Sequence, residues 1–164
     1  MCSSDLYRLY RPRLAHFLIN LVHRPMLAEE VLNDTMMVVW ERADSFNGAS
    51  KLSTWIFAIA YRKAMKGLRR NDDAVADDAG HHVLAETGPD EEAWRDQSHA
   101  RLMAAIADLS PEHRAVVDLT YFHDLGYREI AQILDCPVNT VKTRMFHARR
   151  HLKRRLAGEL ADWI

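Results

Sequence analysis

The residues best placed to do specific chemistry stand in VNTVKTRMFHARR: Asn139, Thr140, Lys142, Thr143, Arg144, Phe146, His147 and Arg150. That chemistry is recognition rather than bond making. Lysine and arginine suit phosphates or the acceptor edge of guanine, threonine suits either, and phenylalanine suits a thymine methyl. The basic tail Arg149, Arg150, Lys153, Arg154 and Arg155 adds phosphate attraction that does not depend on sequence and weakens with salt. A basic amphipathic helix can also be a solvated face, and for the tail alone the two readings are even.

Catalysis has no comparable set. No nucleophile motif or phosphate loop stands in the chain, so no enzyme activity and no small-molecule substrate are expected. Of the nine histidines, His16 and His23 are two helical turns apart and His81-His82 sit in a polar stretch. Neither pair has the i,i+3 or i,i+4 spacing of a helical metal site, so no metal and no cofactor are expected. Cys2 and Cys136 form neither a disulfide framework nor a CxxC clip and read as free thiols in a reducing compartment.

The elements that must position the basic residues are helices. In YREIAQILDCPVNTVKTRMFHARR, Ile130, Ala131 and Leu134 face inward from one helix, and Val138, Val141 and Met145 from the next. DCPV makes the turn, because Pro137 cannot continue the first helix. Ala131 supplies the small residue that two steeply crossing helices need at their contact. The pattern is a helix-turn-helix, whose second helix enters the major groove.

Upstream, Ser110-Pro111-Glu112 reads as an N-cap, a first-position proline and a first-turn acid. That helix carries Val116, Val117, Leu119 and Tyr121 and stops near Gly126. Another helix covers about 92–109. Three more precede them. The first spans about 4–23, with a kink or late start at Pro12, and the second about 27–43. The third, LSTWIFAIAYRKAMKGLRR, is capped by Ser50 or Ser53. Its inward stripe is Leu52, Trp55, Ile56, Ile59, Ala60 and Ala64. No alternation suggests a strand.

The fold class is therefore all-α. Composition supports a globular protein, with 48% hydrophobic and 27% charged residues. No apolar run is long enough to span a membrane, and no export leader is evident, so a cytoplasmic location is expected. The net charge of −1 hides segregation: residues 1–70 carry 11 Lys/Arg against 6 Asp/Glu, residues 71–98 carry 1 against 9, and residues 99–164 carry 10 against 8. Residues 71–91 lack the apolar surface to order themselves and read as a flexible acidic linker. The expected organisation is two small helical domains, 1–70 and 92–164.

The stretch AEEVLNDTMMVVWERADSFNGASKLSTWIFAIAYRKAMKGLRR resembles the extracytoplasmic-function (ECF) group of the sigma-70 family of bacterial initiation factors. Ala28 to Thr35 carry its first element. Trp40, Phe46, Gly48, Thr54, Trp55, Ile59, Ala60, Arg69 and Arg70 carry the rest. The C-terminal part is similar to that group's promoter-reading region at Leu109, Pro111, Tyr127, Glu129-Ile130-Ala131, Pro137-Val138, Thr140-Val141-Lys142 and Arg144.

The resemblance implies a sigma factor that binds core RNA polymerase, recognises promoter DNA, assists its opening and is held inactive by an anti-sigma factor. It puts Glu30, Asn33 and Asp34 at the polymerase clamp; acids at i and i+4 share one helix face. It puts the loop 45–51 at a base flipped from the −10 element, with Asn47, whose amide both donates and accepts, reading the base beside Lys51. SFNGAS is alternatively just a turn. Arg62, Lys66, Arg69 and Arg70 would follow the DNA backbone. Tyr61 and Phe57 either stack on bases or belong to the core, core being favoured for Phe57. Trp55 reads as packing first and a melting wedge second. The group usually has arginine at Ala58 and Tyr61, serine at Gly126 and often arginine at His147. The acids Asp72, Asp73, Asp77, Asp78, Glu91 and Glu92 would occupy a basic polymerase channel. The rival reading is an operator-binding regulator that acts without polymerase.

Overall fold

The computed structural model describes residues 3–72 and 90–157, with side chains over 4–70 and 97–157. The described residues form seven α-helices and one 3-10 turn and contain no strand. In the first half α1 is Ser3–Val22, α2 is Pro25–Glu41 and α3 is Leu52–Asp72, with a 3-10 turn at Ala43–Ser45. In the second half α4 is Asp90–Ala107, α5 is Pro111–Tyr121, α6 is Tyr127–Leu134 and α7 is Val138–Arg155. Apart from its helical ends, the segment read as a linker lies outside the described residues. So do all the acidic side chains assigned to a polymerase channel.

Helix α1 buries Leu14, Phe17, Leu18 and Leu21 completely, at i, i+3, i+4 and i+7 spacing. It runs across Pro12 from Ser3, so the proline marks no late start. Helix α2 opens on Pro25 at its first position and packs on α1 and α3. Gly67 of α3 lets α2 come close, since a Cβ there would lie 2.8 Å from Leu27 Cδ1. Neither serine expected to cap α3 does so. The Trp55 amide donates to the Lys51 carbonyl, which leaves Ser50 ahead of the helix and Ser53 inside its first turn.

The second half keeps the expected cap and turn, but α5 ends at Tyr121 rather than near Gly126. Ser110 Oγ accepts from the His113 amide at the start of α5, with Pro111 next to it. Asp135 closes α6 in the left-handed region, and the Cys136 amide returns to the Ala131 carbonyl. Ile130, Ala131, Leu134, Val141 and Met145 are buried as expected and Ile133 joins them, while Val138 is only half-buried.

The two halves share one core. α1 packs on α5, and α3 on α6. This corrects the expected stripe of α3. Leu52 and Trp55 are only half-buried, whereas Phe57 and Tyr61 are buried at 1% and 7% exposure. A helix covered on one side by α1 and α2 and on the other by α6 needs two apolar faces, and the residues off the first stripe supply the second.

Candidate functional site

Polar contacts fix how the halves meet. Arg114 of α5 donates from one terminal nitrogen to the Leu21 carbonyl of α1 at 2.6 Å, and from the other to Ala107 and Leu109, both at 3.1 Å. Asn20 of α1 donates to Asp118 Oδ1 at 2.8 Å. At the rim, Lys51 Nζ meets Glu129 Oε1 at 2.6 Å. The His123 ring sits edge-on to Phe57 and Phe17, with centroids 5.3 and 6.0 Å away.

This packing divides the residues expected to meet DNA. Arg62, Lys66, Arg69 and Arg70 are exposed along α3. Asn47 is exposed too, but its side-chain oxygen already accepts from the Ala49 amide at 2.9 Å beside Gly48, whose φ is +74°. The loop is thus a turn closed by the Asn47 side chain, with the rest of its amide open to solvent. Trp55 packs on Phe46 with centroids 5.5 Å apart.

Tyr61 is not open to bases in this arrangement. It is buried against Arg144 of the recognition helix; burial raises its hydroxyl pKa, and the Arg144 charge pulls the other way. Arg144 is correspondingly half-buried, and Lys51 is engaged by Glu129. These three DNA-facing candidates are turned towards the opposite half of the chain.

The rest of the recognition helix remains accessible. Asn139, Lys142, Thr143, Phe146, His147 and Arg150 are exposed and Thr140 is half-buried. Phe146 shows 61% of its surface, although the Thr143 hydroxyl is turned back onto the Asn139 carbonyl.

On α2, Glu30, Asn33 and Asp34 are all exposed. Beside them the structure adds an apolar groove that the sequence reading missed. Asn33, Met36, Met37 and Trp40 of α2 line it opposite Leu6 and Tyr7 of α1. Met37 and Trp40 expose 50% and 67% of their surface. The signal lies in the i, i+3/i+4, i+7 spacing of Asn33, Met36/Met37 and Trp40, which puts them on one helix face.

An acidic edge with an apolar groove, a basic helix and a helix-turn-helix now stand on one chain. Residues 6–74 match the family model described as Sigma-70 region 2, and residues 99–152 match Sigma-70, region 4. The chain is 30% identical to the ECF RNA polymerase sigma factor RpoE of Cereibacter sphaeroides, over 94% of its own length and 86% of that protein's. This chain belongs to the ECF sigma factors of the sigma-70 family.

The sigma factor is also 29% identical to the RNA polymerase sigma-H factor of Pseudomonas aeruginosa, across 93% of this chain and 85% of that one. Its fold is that of the sigma factor RpoE of Bartonella quintana, solved in complex with the anti-sigma factor NepR. The TM-score is 0.75, with 24% identity over 95% of this chain and 97% of that one. CnrH, solved with the cytosolic domain of CnrY, shares the fold at a TM-score of 0.68 and 21% identity, over 96% and 88% of the two chains. As a sigma-70 family member this is a transcription initiation factor that directs RNA polymerase to promoter DNA. No helix among the described residues is long and apolar enough to cross a membrane.

Proposed function

We propose that region 2 comprises residues 1–70 and docks on the polymerase clamp through Glu30, Asn33 and Asp34, with Met37 and Trp40 as apolar anchors. Acids alone on an exposed helix give little net affinity, because solvent screens them. A large apolar side chain beside them supplies the burial that an interface core needs. The observation that carries this reading is the exposed groove next to the acidic edge.

Asn47 and Lys51 meet the −10 element, and Arg62, Lys66, Arg69 and Arg70 follow its backbone. Residues 92–164 form region 4, which reads the −35 element with Asn139, Thr140, Lys142, Thr143, Arg144, Phe146, His147 and Arg150. The protein works in the cytoplasm without catalysis of its own. Because Tyr61, Arg144 and Lys51 are engaged between the halves, this arrangement is a resting one. Its polymerase groove is open and its DNA faces are partly covered. An anti-sigma factor that masks the polymerase-binding faces of both halves would hold the protein inactive.

Run-off transcription with bacterial core polymerase and a promoter library tests the proposal, with Asp34→Arg and Trp40→Ala alongside. Specific transcripts that both substitutions weaken are expected. Sequence-specific DNA binding without polymerase, and no transcript with it, overturns the proposal in favour of an operator-binding regulator.

A further inference from the structure

One cluster at the seam between the halves lies outside the residues assigned above to polymerase and promoter. His16 of α1, Asp118 of α5 and His123 just beyond α5 each present a ligand atom, and the three atoms lie within 4.8 Å of one another. His123 Nε2 and Asp118 Oδ2 are 3.1 Å apart, and these side chains are only 5% and 3% exposed. His16 is exposed, which leaves the cluster open to solvent on that side. Asn20 donates to Asp118 Oδ1 at 2.8 Å and lies 3.3 Å from His16 Nδ1. Phe17 and Phe57 wall the His123 ring, and Phe122 stands 5.3 Å from that of His16.

We propose that His16, Asp118 and His123 form a site for a divalent transition metal of the zinc class, and that the bound ion clamps the two halves together. Two imidazoles, one carboxylate and a solvent-facing fourth position make a donor set that Zn²⁺ and Co²⁺ accept. Asn20 occupies one carboxylate oxygen and so turns the other towards the histidines, as outer-shell partners of metal ligands do. Bonds of about 2.0–2.2 Å put tetrahedral donors roughly 3.4 Å apart. The Asp118–His123 edge is already near that value, and the exposed His16 ring closes the rest.

Because the donors come from both halves, an ion bound only in the closed arrangement stabilises it by linkage. Its effect on transcription rests on the sigma-factor reading above; its binding does not. The competing account is a buried Asp118–His123 hydrogen bond that needs no ion.

The test uses the full chain stripped of metal. Co²⁺ is titrated by visible absorption, with Zn²⁺ as competitor, and energy transfer is followed between dyes on α2 and α7. One ion per chain is expected. His16→Ala, which changes an exposed ring, should lower affinity at least tenfold, and Zn²⁺ should raise energy transfer only in the unsubstituted protein. Lack of saturable binding at micromolar metal overturns the proposal, as does binding that His16→Ala and His123→Phe leave unchanged. Run-off transcription separates the two readings. Transcripts from metal-free protein that Zn²⁺ suppresses, with no suppression of His16→Ala, support both. Transcripts indifferent to bound Zn²⁺ overturn the clamp. No transcript under any condition overturns the sigma reading and leaves the metal titration standing.

Discussion

Asn20 and Asp118, 98 residues apart in sequence, share a 2.8 Å hydrogen bond that ties α1 to α5. The bond is part-buried, and its loss leaves a carboxylate oxygen short of a donor. Asn20→Ala should therefore weaken the closed arrangement by about 1–3 kcal/mol. Energy transfer between α2 and α7 should fall, and the isolated protein should bind −35 DNA more tightly than before.

Polymerase docking should respond to the apolar anchor as well as to the acids. Trp40→Ala is expected to lower affinity for core polymerase at least tenfold, or about 1.4 kcal/mol, as truncation of an interface anchor does. Affinity of the isolated protein for −35 DNA should stay the same. Binding titrations against core enzyme and against duplex DNA measure the two separately.

Lys142 and Arg150 should behave differently on DNA. Lys142→Ala should cost about 1–3 kcal/mol at its cognate base pair and relax the preference there. Arg150→Ala should weaken all duplexes alike and make the salt dependence shallower by about one unit. Competition titrations over a range of salt concentrations check both.

Acid should destabilise the second half through His113. Partial burial, then the nearby His147 and Arg144, hold its pKa below the ordinary 6.5. The unfolded chain thus binds the proton more readily than the folded one. The stability contributed is complete above about pH 6.5 and is lost as pH falls through the lowered value. Thermal melts between pH 8 and 5 should show this slope, and His113→Gln should reduce it.

Gly126 precedes α6 with φ −77° and no side-chain cap, and a Cβ there meets nothing within 4 Å. Gly126→Ser should stabilise the protein by a few tenths of a kcal/mol. Asp135, held at φ +51°, should gain about 0.5–1 kcal/mol on substitution by glycine. Denaturant midpoints measure both, and the closed arrangement should be unaffected.

The sequence by itself determined the helices, the helix-turn-helix and the cap at Ser110. Each follows from residues within four positions of one another, where spacing and turn chemistry act directly. It also carried the family, through motifs that are contiguous in the chain. Only the tertiary structure decided that Tyr61 is buried beside Phe57, because periodicity finds one apolar face and cannot say that α6 covers a second. The apolar groove needed α1 set beside α2 to be seen as a groove. His16, Asp118 and His123 meet only because α1 packs on α5, and no local spacing could have joined ligands more than 100 residues apart.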